Sequence, residues 1–142
     1  MSGLLSGKRP TNLGVKEGRL KPPSKTDNSV SSQAQLWPGA STHRSAQIDP
    51  LPLRKGDAKA TMTKLKAILA AMPGTTVVTA RNDYLHAECQ TRLLKFTDDL
   101  EFWIDRKNSV VQVRSASRIG SKDFGANRKR VETIRARLGA GG

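Results

Sequence analysis

One cysteine, Cys89, and two histidines, His43 and His86, are the only thiol and imidazole groups in 142 residues. A lone cysteine rules out a disulfide within the chain and makes a reducing compartment acceptable. It also leaves little to hold a metal. His86 and Cys89 stand an odd number of positions apart on one alternating run, so they project to opposite faces, and neither a metal nor a cofactor is expected. Aromatic residues are scarce, two Trp, one Tyr and three Phe, which leaves few rings to stack on nucleic-acid bases. The opening MSGLLSGKRP offers one Leu-Leu pair before Lys8 and Arg9, too little for a signal-peptide apolar region or a membrane span, so a cytoplasmic location is expected. Hydrophobic residues reach only 36%, which implies that part of the chain carries little core.

What the chain has in abundance is positive charge. Lys and Arg number 25 against 12 Asp and Glu, a formal net charge of +13, which suits a nucleic acid, an anionic surface or an acidic protein as partner. Charge of this kind directs association and says little about fold.

The length supports one domain with an extension. Residues 1–56 are rich in Gly, Pro, Ser, Thr, Lys and Arg without helical or strand period, and predict an extended or partly disordered arm lying on the domain, with Leu36, Trp37, Ile48, Leu51 and Leu53 as anchors. The domain is expected over 57–138 and a disordered tail over 139–142. Asp57 is a candidate N-cap for a helix to Met72, whose Met62, Leu65, Leu69 and Met72 share a face; Pro73-Gly74 stops it. Strand-like runs follow at Thr75 to Thr79, Tyr84 to Lys95, Asp99 to Asp105 and Val110 to Ser117. A last helix opens near Asp123 and ends before Gly139, with Phe124, Val131, Ile134 and Leu138 as its apolar stripe. The predicted fold is α+β: a helix, a four-stranded antiparallel meander and a C-terminal helix, with both helices on one sheet face.

Leu100, Phe102 and Ile104 must share the core face with Val111 and Val113. A four-residue loop over Arg106 to Ser109 then sets Glu101 opposite Arg114, whereas a two-residue loop sets Asp99 there; either way Arg114 meets a carboxylate on the other face, and Asp99, Glu101 and Arg114 read as a structural ion-pair network. Ser115 and Ser117 fall on the core face.

The stretches NSVSSQA (Asn28 to Ala34), FTDDLEFWID (Phe96 to Asp105) and VRSASRIGSKDFGANRKRVE (Val113 to Glu132) resemble the bacterial and plastid family known as domain of unknown function 1499, over roughly Leu13 to Leu138. The resemblance implies no enzymatic activity. It singles out Ser29, Ser31, Ser32, Asp98, Asp99, Glu101 and Phe102, and from the last stretch Arg114, Ser115, Ser117, Arg118, Gly120, Asp123, Gly125, Asn127, Arg128 and Arg130. LGVKEGRL (Leu13 to Leu20) is also similar, which implies an arm more ordered than its composition suggests. Many relatives carry two arm cysteines and are exported or lumenal; this chain has Pro23 and Ser29 in those regions, which agrees with a cytoplasmic member.

Three function classes follow. The first is a non-catalytic binding or assembly domain that recognises an anionic group on a small ligand or partner protein. Its expected pocket is the N-terminus of the last helix with Arg118, Asp123, Asn127, Arg128 and Arg130. Against it stands a self-filled version, in which Asp123 caps the helix and pairs with an arginine. The second class is a hydrolase built on the Asp/Arg/Ser cluster. Asp99 and Glu101 share a face about 7 Å apart, a spacing that a glycosidase could use, but an arginine opposite keeps both ionised and unsuited to general-acid work. The third is a nucleic-acid binder through Arg128, Lys129, Arg130, Arg135 and Arg137, without any known reading motif beside them.

Overall fold

The computed structural model describes residues 7–39, 44–91 and 95–140. Arg92, Leu93 and Leu94 of the expected second strand, residues 1–6 and 40–43 of the arm (His43 among them), and the last two residues of the tail lie outside the described residues. The elements are β1 (Ser29–Ser31), β2 (Leu51–Pro52), α1 (Ala58–Ala71), β3 (Thr75–Ala80), β4 (Tyr84–Gln90), β5 (Thr97–Asp105), β6 (Val110–Ser117) and α2 (Ala126–Gly139), with three short 3-10 turns in the arm.

The class is α+β, but the sheet has six strands rather than the expected four. Strands β3 to β6 form the antiparallel meander, and β1 and β2 both pair antiparallel with the free edge of β6. Segments of three and two residues are too short to show alternation. They become strands because β6 presents an unpaired ladder and because Val30 and Leu51 enter the core beside it. The four-residue connection is the one adopted, so Glu101 lies opposite Arg114 and Ile104 opposite Val111.

Both helices lie on one face of the sheet. Met62, Leu65, Ile68 and Leu69 of α1 and Val131, Ile134 and Leu138 of α2 join Leu85, Leu100, Phe102, Val111 and Val113 in one buried cluster. Asp57 accepts from the Ala60 amide at 3.0 Å, which satisfies an otherwise orphaned donor at the start of α1. Gly74 turns the chain into β3 at φ +75, and a Cβ there would sit 2.7 Å from the Gln90 carbonyl oxygen, so both conformation and space require glycine.

Phe124 is not part of the α2 stripe. The Asp123 carboxylate accepts from the amides of Gly125 (2.9 Å) and Asn127 (3.1 Å), which closes the turn first and leaves Phe124 at φ +54 and 94% exposed. Asn127, wholly buried, takes the stripe position four residues before Val131. Phe124→Asn is therefore expected to change stability by less than about 0.5 kcal/mol, since asparagine tolerates the left-handed region and no packing is lost. A loss of several times that in urea unfolding would show that the ring is packed.

The face away from the helices is buried as well. Arm residues cross it, and Tyr84, His86, Asp99, Glu101 and Arg114 are all 7% exposed or less beneath them. The sheet thus has an apolar layer on one side and a buried polar layer on the other.

Candidate functional site

Alternation along β5 and β6 sorts the polar residues into two clusters on opposite faces. On the helix face, Asn127 is the hub. Its Nδ2 donates to the Asn28 carbonyl (3.1 Å), Ser117 Oγ (3.0 Å) and Asp123 Oδ2 (2.8 Å), while its Oδ1 accepts from Ser115 Oγ (2.7 Å) and Arg130 Nη1 (2.8 Å). Arg130 reaches on to Ser115 Oγ (3.0 Å) and to the buried Asp98 carboxylate (2.7 Å). One oxygen of Asp98 is buried and makes no hydrogen bond with a described residue. The network ties α2, β5, β6 and the arm together.

On the arm face, Arg118 takes Asp99 through Nε to Oδ2 (2.8 Å) and Nη2 to Oδ1 (2.9 Å), and it also donates to Glu88. His86 Nε2 stands 2.8 Å from Asp99 Oδ1, and Arg9 from the arm closes on Glu88. Bonding to Asp99 above all, offset by burial and helped by Glu88, holds the Arg118 guanidinium even more firmly protonated than usual. Burial by itself would raise Asp99, but the hydrogen bonds from Arg118 and His86 outweigh it and keep the carboxyl below its usual range. Glu88 is lowered chiefly by Arg9, then by Arg118 against a burial penalty.

Further along the same face, Glu101 Oε2 accepts from the Tyr84 hydroxyl and from the Gly14 amide (2.8 Å). Its other oxygen is buried and makes no hydrogen bond with a described residue; Arg114 Nη1 stands 3.8 Å from it. Burial and the Glu101 charge push the Tyr84 phenol far above its ordinary value. Arg114 is 3% exposed, and its Nε donates to the Pro22 carbonyl at 3.1 Å. Its terminal nitrogens make no hydrogen bond with a described residue. They border a cavity of about 390 Å³ between arm and sheet, which Lys8, Lys21, Lys25, Asp99 and Arg118 also line. Burial, and then the Arg114 charge, pull the Lys21 ammonium below its usual value.

Of the five residues expected to form one pocket, Asp123, Asn127 and Arg130 come together; Arg118 is on the opposite face of the sheet. Arg128 donates to the carbonyls of Ser45 (2.9 Å) and Gln47, and so pins the arm. Asp99 pairs with Arg118 and His86 rather than with Arg114. Of the α2 cations weighed for nucleic acid, Arg130 is spent on Asp98, and Arg135 on Glu132 and the carbonyls of Asp49 and Pro50. Lys129 and Arg137 stay exposed.

His86, Glu88 and Asp99 carry ligand atoms that lie within 4.8 Å of one another, a set that considering His86 with Cys89 alone overlooked. Glu88 stands two positions from His86 on β4, and Asp99 is its cross-strand partner on β5. The Arg118 guanidinium already serves these carboxylates as counter-ion, so a metal would have to displace it. Cys89 lies on the other face, and its thiol is raised by burial.

A family model described as protein of unknown function (DUF1499) matches residues 19–138. The chain belongs to the DUF1499 family. The match spans every strand, α1 and all but the last residue of α2 in this DUF1499 domain, while Lys8, Arg9 and Gly14 lie before it. No curated protein matches the chain. Among the described residues no helix is long and apolar enough to cross a membrane.

Proposed function

We propose that this DUF1499 chain is a non-catalytic binding or assembly domain that takes an anionic group of a ligand or partner protein in the cavity between its arm and its sheet. The observation that carries this reading is Arg114. A guanidinium almost wholly removed from water, 3.8 Å from its counter-ion Glu101 and with terminal N–H groups that make no hydrogen bond with a described residue, stands among lysines where a further acceptor can reach it. The five residues read from the sequence play a supporting part: Asn127, Asp123 and Arg130 anchor β6 from below, Arg118 neutralises the cavity's one carboxylate, and Arg128 fastens the arm.

Nothing favours the hydrolase alternative. Among the described residues His86 bonds to no serine, and the hydroxyls of Ser115 and Ser117 engage Asn127 on the opposite face. A nucleophile needs its base within hydrogen-bond reach. Asp99 and Glu88 are held ionised by arginine, unlike a general acid.

The test is a thermal-shift series at constant ionic strength, with acetate, citrate, sulfate and phosphate each exchanged for chloride. At least one of them is expected to raise Tm above the chloride value in the wild type, and the rise should vanish in the Lys21→Gln, Lys25→Gln double variant. Identical melting in every anion would overturn the proposal.

A further inference from the structure

We infer that the Arg114 cavity is a site for a phosphate dianion, free or as the monoester of a small non-aromatic molecule, clamped between arm lysines and the guanidinium of β6. The inference rests on the anion-binding reading above and names its ligand class.

Charge sets the valence. Five cationic side chains, Lys8, Lys21, Lys25, Arg114 and Arg118, line the cavity against the single carboxylate of Asp99. Arg118 is committed to Asp99 and Glu88 and the Arg114 charge faces Glu101 at 3.8 Å, so three lysine charges and the Arg114 terminal N–H groups remain for the occupant. A monocarboxylate would leave most of that charge unanswered. A phosphate group near neutral pH carries a charge of about -1.5 to -2 and three strong acceptor oxygens, enough for the Arg114 terminal nitrogens and two ammonium groups together.

Geometry sets the body. A cavity of about 390 Å³ lies at the small end of ligand sites, roughly 300 to 1,000 Å³. Its apolar wall is Pro10, Pro22, Pro23 and Ala116, and among the described residues no aromatic side chain lines it as a platform for a nucleobase. Planar guanidinium at the floor and mobile ammoniums at the rim divide the work: the fork orients the oxyanion, and the lysines add charge that adapts to its substituent.

Two of the other cavities do not compete. The one lined by Arg9, Arg118 and Glu88 has its cations already closed on that glutamate. The larger groove beside Trp103 carries Glu17, Asp49, Asp83 and Asp105 against Arg106 and Lys107, the wrong sign for an anion.

Titration calorimetry of the full chain at fixed ionic strength decides the matter, with inorganic phosphate, glucose 6-phosphate, acetate and succinate as probes. Phosphate or the sugar phosphate is expected to bind at least about tenfold more tightly than either carboxylate. Arg114→Lys, which keeps the charge but loses the fork, and the exposed-rim variant Lys25→Gln should each weaken phosphate binding several-fold while circular dichroism shows the native fold. Tighter binding of the sugar phosphate than of phosphate would assign a monoester, and the reverse the free ion. Carboxylates that bind as well as phosphate, with the loss in Lys25→Gln retained, would overturn the phosphate assignment and leave the anion reading standing. Absence of binding by all four probes would overturn both. Wild-type phosphate affinity in Arg114→Lys and Lys25→Gln would place the ligand elsewhere and overturn the inference.

Discussion

Arg118→Ala is expected to lower the unfolding free energy at pH 7 by about 3 to 5 kcal/mol, the usual cost of removing one partner from a buried ion pair. The Arg118 side chain is 8% exposed and that of Asp99 3%, so water cannot replace the lost donors without opening the arm; Glu88, at 21%, contributes less. The loss carries a pH signature. Asp99 and Glu88 sit below their ordinary carboxyl values in the folded state. Their stabilisation is complete above the unfolded values, about pH 4, and fades as pH falls through the depressed folded ones. Without Arg118 that dependence flattens, so the gap between wild type and variant should narrow from pH 7 toward about pH 3.5. Urea titrations at both pH values measure it; a constant gap would mean that the arginine acts through packing alone.

Asn127→Ala is expected to cost about 2 to 4 kcal/mol, although it removes only an amide. The cost lies in what is stranded: the Asn28 carbonyl loses the Nδ2 donor, while the Ser115 hydroxyl and Arg130 lose their shared acceptor, all on the buried face where α2 meets β6. Because Arg130 bonds both Asn127 and Ser115, the variant should not add to Arg130→Ala. A double-mutant cycle in urea should return a coupling above about 0.5 kcal/mol. Strict additivity, or a loss no larger than a surface change gives, would break the hub assignment.

Much of this was legible in the residues. Strict alternation over Leu100 to Ile104 and Val111 to Val113 admits one face assignment, and the four-residue register puts Glu101 across from Arg114, as observed. The α1 boundaries were legible from Asp57 and Pro73-Gly74. Phe124 misled because spacing alone cannot tell an apolar stripe residue from one turned out by an Asx-type turn. Of the residues that line the cavity, the sequence offered Arg118 as a ligand contact and Arg114 only as an ion-pair partner. The basic stretch from Val113 to Arg130 does hold Arg114 and Arg118, but Lys8, Lys21 and Lys25 come from an arm whose composition suggested only a loose cover.

By itself, then, the sequence determined the class of the fold, the face of every residue in β5 and β6, and a large positive charge, because periodicity and composition are local properties. The tertiary structure decided which charges remain available. Arg118, Arg128, Arg130 and Arg135 look alike in the chain, yet each is spent on a partner distant in sequence, from Glu88 and Asp99 to the arm carbonyls. Arg114 keeps donors in hand because its counter-ion Glu101 stands 3.8 Å away, beyond hydrogen-bond length, and the arm that buries it brings one carbonyl and three lysines. Long-range contact alone makes that difference, since an ion pair depends on separation in space and not along the chain.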